Sequence, residues 1–139
     1  MTRRIAVVDT NVVAAGVITS TPASPVARVL DGMLSAGFPF AISRPLLAEY
    51  RHVLGRRSMA KLHGLDSTQI DDVLAELALH AVLLVPAAGP PAPDPGDQFL
   101  WDMLTVRDDL ILVTGDKRLL RALDFAGRIL TAREFVDGR

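Results

Sequence analysis

Short apolar runs alternate along this chain with segments of helical period, and that alternation points to strands joined through helices in a mostly parallel sheet. Ile5–Val8 (IAVV) is a continuous apolar run, the pattern of a strand buried on both faces. The sequence predicts a helix over Ser24–Ala36, with Ser24 as cap, Pro25 in the first turn and Val26, Val29, Leu30 and Met33 in one stripe. Phe38–Ile42 reads as a second strand. Pro45–Leu54 reads as a helix closed by Gly55, and Arg56–His63 as a basic, irregular stretch. Asp66–His80 carries Ile70, Val73, Leu74 and Leu77 at helical spacing, with Asp66 or Ser67 as its cap. A third strand is expected over Ala81–Val85, and a stiff loop over the proline-rich Pro86–Pro95. The remainder reads as a helix (Asp97–Val106), a strand (Leu110–Thr114), a short helix (Asp116–Leu123) and an edge strand (Arg128–Leu130). Thr131 and Glu134 then form a capping box for a last helix.

A length of 139 residues fits one domain, spanning 1–139. Half the residues are apolar and 22% charged, enough to build a core and too little charge for a disordered chain. The absence of cysteine excludes a disulfide scaffold, a thiolate zinc site and a cysteine nucleophile. Met1–Arg4 lead only into a short apolar run that Asp9 interrupts, too short for a signal peptide. No stretch reaches the ~18 apolar residues of a membrane span. A soluble, cytoplasmic protein with no membrane partner is expected. The net charge of −1 gives no global basic field, so any nucleic acid must be handled by local patches or metal ions.

Four carboxylates stand where charge is costly. Asp9 ends the apolar strand of IAVVDTN, and Asp116 follows that of LILVTGD. In a parallel sheet, such carboxyl ends of strands are where ligands bind. Glu49 interrupts the apolar stripe of its own helix. Asp97 starts a helix in phase with Leu100 and Trp101, on the core side. No cationic partner is evident in the sequence. Clustered carboxylates repel unless a cation joins them, and a hard ion such as Mg²⁺ or Mn²⁺ takes oxygen ligands. Each acid also has a structural reading: Asp9 as a turn residue with Thr10 and Asn11, Asp97 and Asp116 as helix caps. Glu49 is the hardest to explain structurally. Asp94, in the turn DPGD, reads as structural, with a secondary ligand role open.

Taken in order, VVDTNVV, LLAEYRHVL, DPGDQFLWDML and LVTGDKRLL resemble the PIN (PilT N-terminus) domain family. The resemblance runs from Ile5 to the final TAREFV and is nearest to bacterial and archaeal toxins of toxin–antitoxin pairs. It implies a three-layer α/β/α sandwich around a central, mostly parallel sheet. It also implies a metal-dependent endoribonuclease that cleaves single-stranded or structured RNA. Asp9, Glu49, Asp97 and Asp116 would hold one or two Mg²⁺ or Mn²⁺ ions and activate water against the phosphodiester. Thr10, Asn11 and Thr114 would orient these carboxylates. Asp97 is preferred over Asp94 because it alone sets the helical phase toward Leu100 and Trp101. Arg51, Arg56, Arg57 and Lys61 could track phosphates or simply form a solvated face, and the same choice holds for Lys117 and Arg118. A cognate antitoxin and a second copy of the chain are further partners that the resemblance implies.

Rival chemistries lack a needed residue. A haloacid-dehalogenase phosphatase needs a second Asp where Asn11 stands, and a receiver domain needs an acidic pair after the first strand. A serine hydrolase needs a G-x-S-x-G elbow, which is absent. His52, His63 and His80 have no metal-pair spacing. The alternatives within the fold are a silent protein- or RNA-binding module and a non-toxin RNA-processing nuclease.

Overall fold

The computed structural model describes residues 4–139; residues 1–3, part of the short lead before the first apolar run, lie outside the described residues. Among these described residues there are five short strands: β1 (Ile5–Val8), β2 (Ala41–Ile42), β3 (Val82–Leu83), β4 (Leu110–Val113) and β5 (Ile129–Leu130). β1 pairs with β4, β4 with β5, and β2 with β3, all in parallel. A parallel bridge between Ala6 and Phe40 joins the two groups. The spatial order is therefore β3-β2-β1-β4-β5. Every residue of β1 and β4 is buried, so both faces of the sheet are covered by helices. The expected mixed α/β architecture with a central parallel sheet is the one found.

Among the described residues eight helices surround the sheet: α1 (Thr10–Ile18), α2 (Pro25–Leu34), α3 (Arg44–Leu54), α4 (Arg57–His63), α5 (Ser67–His80), α6 (Gln98–Val106), α7 (Lys117–Leu120) and α8 (Ala132–Asp137). Their ends follow the chemistry of their caps. Ser24 accepts from the Ala27 amide and Ser43 from the Leu46 amide, each followed by an early proline. Asp66 with Gln69, and Thr131 with Glu134, close full capping boxes.

Several expectations are corrected. α1 was not foreseen. After Asn11 its residues VVAAGVI are all apolar, with Val12, Val13 and Ala14 buried and the rest partly so, and a uniformly apolar helix carries no amphipathic signal. The stretch read as irregular over Arg56–His63 contains α4, ended by Gly64 in the left-handed conformation at φ 71°. The second and third strands are two residues each, not five, although Phe40 adds the bridge to β1. Pro39 has no amide to donate, and its carbonyl accepts from the Ala6 amide at 3.0 Å. The helix expected from Asp97 begins instead with a 3₁₀ turn over Pro95–Asp97. The helix expected over Asp116–Leu123 is the single turn α7.

From β1 the chain runs outward through β2 to β3, then returns to β4 on the other side of β1. The direction of winding thus reverses between β1 and β4. A crevice opens at the carboxyl ends of strands flanking such a reversal.

Candidate functional site

Asp9 and Asp116 follow the two strands at that reversal. A cleft of about 240 Å³ there is lined by Asp9, Thr10, Asn11, Glu49, Asp97 and Asp116, with Val53, Arg56, Gly96 and Phe99 completing its wall. The four acids singled out in the sequence therefore share one cleft, although they come from four separate elements.

Asp9 is the most firmly held. It caps α1, one carboxylate oxygen accepting from the Thr10 amide at 2.8 Å and the other from the Thr114 hydroxyl at 2.7 Å. Its own amide donates to the Val113 carbonyl at 2.9 Å. Burial pushes the Asp9 pKa above the usual carboxylate range, and the nearby Asp116 and Glu49 carboxylates add to the rise. The Thr114 and Thr10 hydrogen bonds oppose it. Thr114 is fully buried and serves both strand ends, since its hydroxyl also accepts from the Asp116 amide at 3.0 Å.

Asp116 caps α7 through the Arg118 amide at 2.9 Å and faces the Arg118 guanidinium at 3.5 Å. Arg118 also reaches Asp94 at 3.1 Å. This one arginine supplies the counter-charge for which the sequence offered no candidate, and it ties the DPGD turn to the start of α7. Asp94 caps the 3₁₀ turn through the Gly96 amide. That bond and Arg118 hold the Asp94 pKa below its ordinary value. Asp94 does not line the cleft, whereas Asp97 does.

Asp97 makes no side-chain cap bond. Burial, then the Asp9, Asp116 and Asp94 charges, push its pKa up to about 6, against the opposing pull of Arg118. Glu49 projects from the middle of α3, one turn before Val53, which also lines the cleft.

The basic residues divide. Arg56 lines the cleft, and among the described residues its side chain has no ion pair. Arg51 instead pairs with Asp71 beside the groove between α3 and α5. Arg57, Lys61, Lys117 and Arg118 do not line the cleft. Sequence reasoning missed Phe99 and Val53 as cleft residues, because an apolar side chain at a cleft looks like one in the core. It also missed Tyr50, whose buried hydroxyl donates to the Val8 carbonyl at 2.5 Å. Position 50 in a helical stripe is filled by an aromatic, and nothing local shows that its polar end has a partner.

The donor set is all oxygen, which suits a hard divalent cation. Thr10 adds a buried hydroxyl oxygen that has no hydrogen-bond partner among the described residues. Among the described residues no three acidic or imidazole side chains stand close enough to grip an ion directly as they are. An ion that keeps several waters, as Mg²⁺ does, matches this looser arrangement. No helix among the described residues is long and apolar enough to cross a membrane.

Comparison with known proteins bears on the same residues. No curated protein matches the chain significantly. The family model for the PIN domain matches residues 5–118, a span that holds all four acids and most of the chain. The protein thus belongs to the PIN domain family, whose members are generally nucleases that use divalent metals.

Proposed function

We propose that this chain is an endoribonuclease, dependent on Mg²⁺ or Mn²⁺, that hydrolyses phosphodiester bonds of RNA in the cleft between β1 and β4. The observation that carries the reading is the convergence of Asp9, Glu49, Asp97 and Asp116 on one cleft at the reversal of the sheet. Burial first, and then the charge of the neighbouring acids, raises the pKa values of Asp9 and Asp97, so carboxylates in so small a space are costly to ionise together. A cation lowers that cost.

In this reading Asp9, Glu49, Asp97 and Asp116 would hold the metal, partly through water. The bound cation would lower the pKa of a water and offset the charge that builds on the phosphate. Thr10 and Thr114 fix both oxygens of Asp9, so its orientation is set before substrate arrives. Asn11 lies exposed at the mouth of the cleft. Arg56 is placed to meet a phosphate oxygen, and Phe99 offers an aromatic wall to a neighbouring base. Arg118 pairs with Asp94 and Asp116 and so helps hold the DPGD turn and the start of α7 in place.

The test is cleavage of single-stranded RNA by purified protein with Mg²⁺ or Mn²⁺, and its loss in EDTA. Asp9→Asn is expected to lower turnover at least about 100-fold with the fold intact. Wild-type turnover by that variant, with contaminating nuclease excluded, would show the assignment to be wrong. The toxin role, a cognate antitoxin and pairing of two copies belong to the same proposal and are supported by the resemblance of the motifs. Growth arrest on expression of the chain alone, relieved by co-expression of a small adjacent gene, is the expected result.

A further inference from the structure

We propose that Tyr50 is a positioning residue that fixes Glu49 of α3 against Asp9 of β1, and so sets the affinity of the cleft for a divalent cation. The inference rests on the cation reading above.

Tyr50 is fully buried, and its hydroxyl donates to the carbonyl of Val8. Both ends of this bond lie next to an acid of the cleft: Val8 precedes Asp9, and Tyr50 follows Glu49. A tyrosine ring needs no hydroxyl to fill a core, and a buried hydroxyl without a partner is costly, so the bond specifies one position of α3 along β1. Two further contacts make that position rigid. The Asp9 amide donates to the Val113 carbonyl, so the end of β1 is held from β4 as well as from α3. At the other end of α3, Ser43 is buried and its hydroxyl donates weakly to the Met103 sulfur at 3.3 Å, a contact between the helix start and α6. Glu49 has no such anchor of its own; among the described residues its side chain makes no ion pair. Its distance from Asp9 is therefore set by the backbone of α3, and that backbone is referred to β1 through Tyr50.

The experiment measures Mn²⁺ binding by calorimetry for wild type, Asp9→Asn, Tyr50→Phe and Val136→Ala. Val136 is a buried residue of α8, away from the cleft, and controls for a general loss of stability. Tyr50→Phe is expected to weaken Mn²⁺ binding about tenfold, while Val136→Ala leaves it unchanged though both melt lower. Loss of binding in Asp9→Asn with undiminished affinity in Tyr50→Phe overturns the positioning role and leaves the cation reading standing. Equal weakening by Val136→Ala also overturns it. No binding by wild type overturns both. A second measurement does not depend on the variant folding. The chain has one tyrosine, so 3-fluorotyrosine places a single ¹⁹F reporter at position 50. Mg²⁺ is expected to shift that resonance in the wild-type sequence and not in Asp9→Asn. A resonance unmoved at saturating Mg²⁺ overturns the proposal.

Discussion

Asp97 and Asp116 share a cleft but differ in what else they do, and the difference decides what neutralising each would cost. Asp116 caps α7 and faces Arg118. Asp97 caps nothing by its side chain and is pushed up to about 6 by burial and by its acidic neighbours. A carboxyl whose folded pKa lies above its unfolded value of about 3.9 favours the fold while protonated. That contribution is complete below about pH 4 and is lost as pH rises through about 6. In EDTA at pH 7.5, Asp97→Asn is therefore expected to be more stable than wild type. Solvent screening of this half-buried group leaves a gain of about 1 kcal/mol. The advantage should vanish at pH 4, and saturating Mn²⁺ should narrow or reverse it. Asp116→Asn should gain less, because it gives up the ion pair with Arg118. Thermal melts at the two pH values decide the matter, and an Asp97→Asn protein less stable than wild type at pH 7.5 in EDTA would refute the repulsion argument. That Asp97 rather than Asp94 faces the cleft was legible in the sequence, since its phase relative to Leu100 and Trp101 is a local property. The partnership of Arg118 with Asp94 was not, because it joins residues 24 apart in the chain.

Elements show where pattern reading loses its grip. α2, α3 and α5 each have a solvent face, and their apolar stripes and caps can be read directly from the residues. α1 lies against both α2 and α3, and its residues give no stripe to read. Its one glycine shows how close the packing is. A Cβ on Gly16 would lie 2.8 Å from the Val26 carbonyl oxygen and 2.9 Å from the Leu30 Cβ. In an open helix, alanine would stabilise by about 1 kcal/mol relative to glycine. Here the contact is with backbone, which cannot swing aside, so Gly16→Ala is expected to destabilise by about 1–3 kcal/mol. A denaturant midpoint measures this, and an increase in stability would mean that α1 and α2 separate freely. Because Asp9 caps α1, the same variant should also weaken Mn²⁺ binding. The basic segment before α5 was misread for another reason. Arg57–His63 buries no residue at all, so its helix is marked only by Gly64 at its end.

At the scale of the whole molecule, the alternation of runs gave a parallel sheet but not its order, because the choice of strand neighbours is a long-range matter that no local window contains. The order is what builds the site. Placing β4 beside β1, with the intervening elements outside, brings together acids drawn from near both ends of the chain. An unfolded chain spreads those carboxylates apart and can present them only singly. A cation held among them therefore binds the folded state alone, and its binding free energy becomes folding free energy. Mn²⁺ at a hundredfold excess over its dissociation constant is expected to raise the unfolding free energy of wild type by about 2.7 kcal/mol. NaCl at matched ionic strength should give only a small part of this, since screening weakens repulsion without joining the carboxylates. Asp9→Asn, lacking the best-anchored acid, should gain less than half the wild-type increment from the same Mn²⁺ concentration. Parallel melts with MnCl₂ and NaCl provide the comparison. If NaCl stabilises as well as Mn²⁺ does, the cleft is a site of general repulsion and the four acids do not act as a set of ligands.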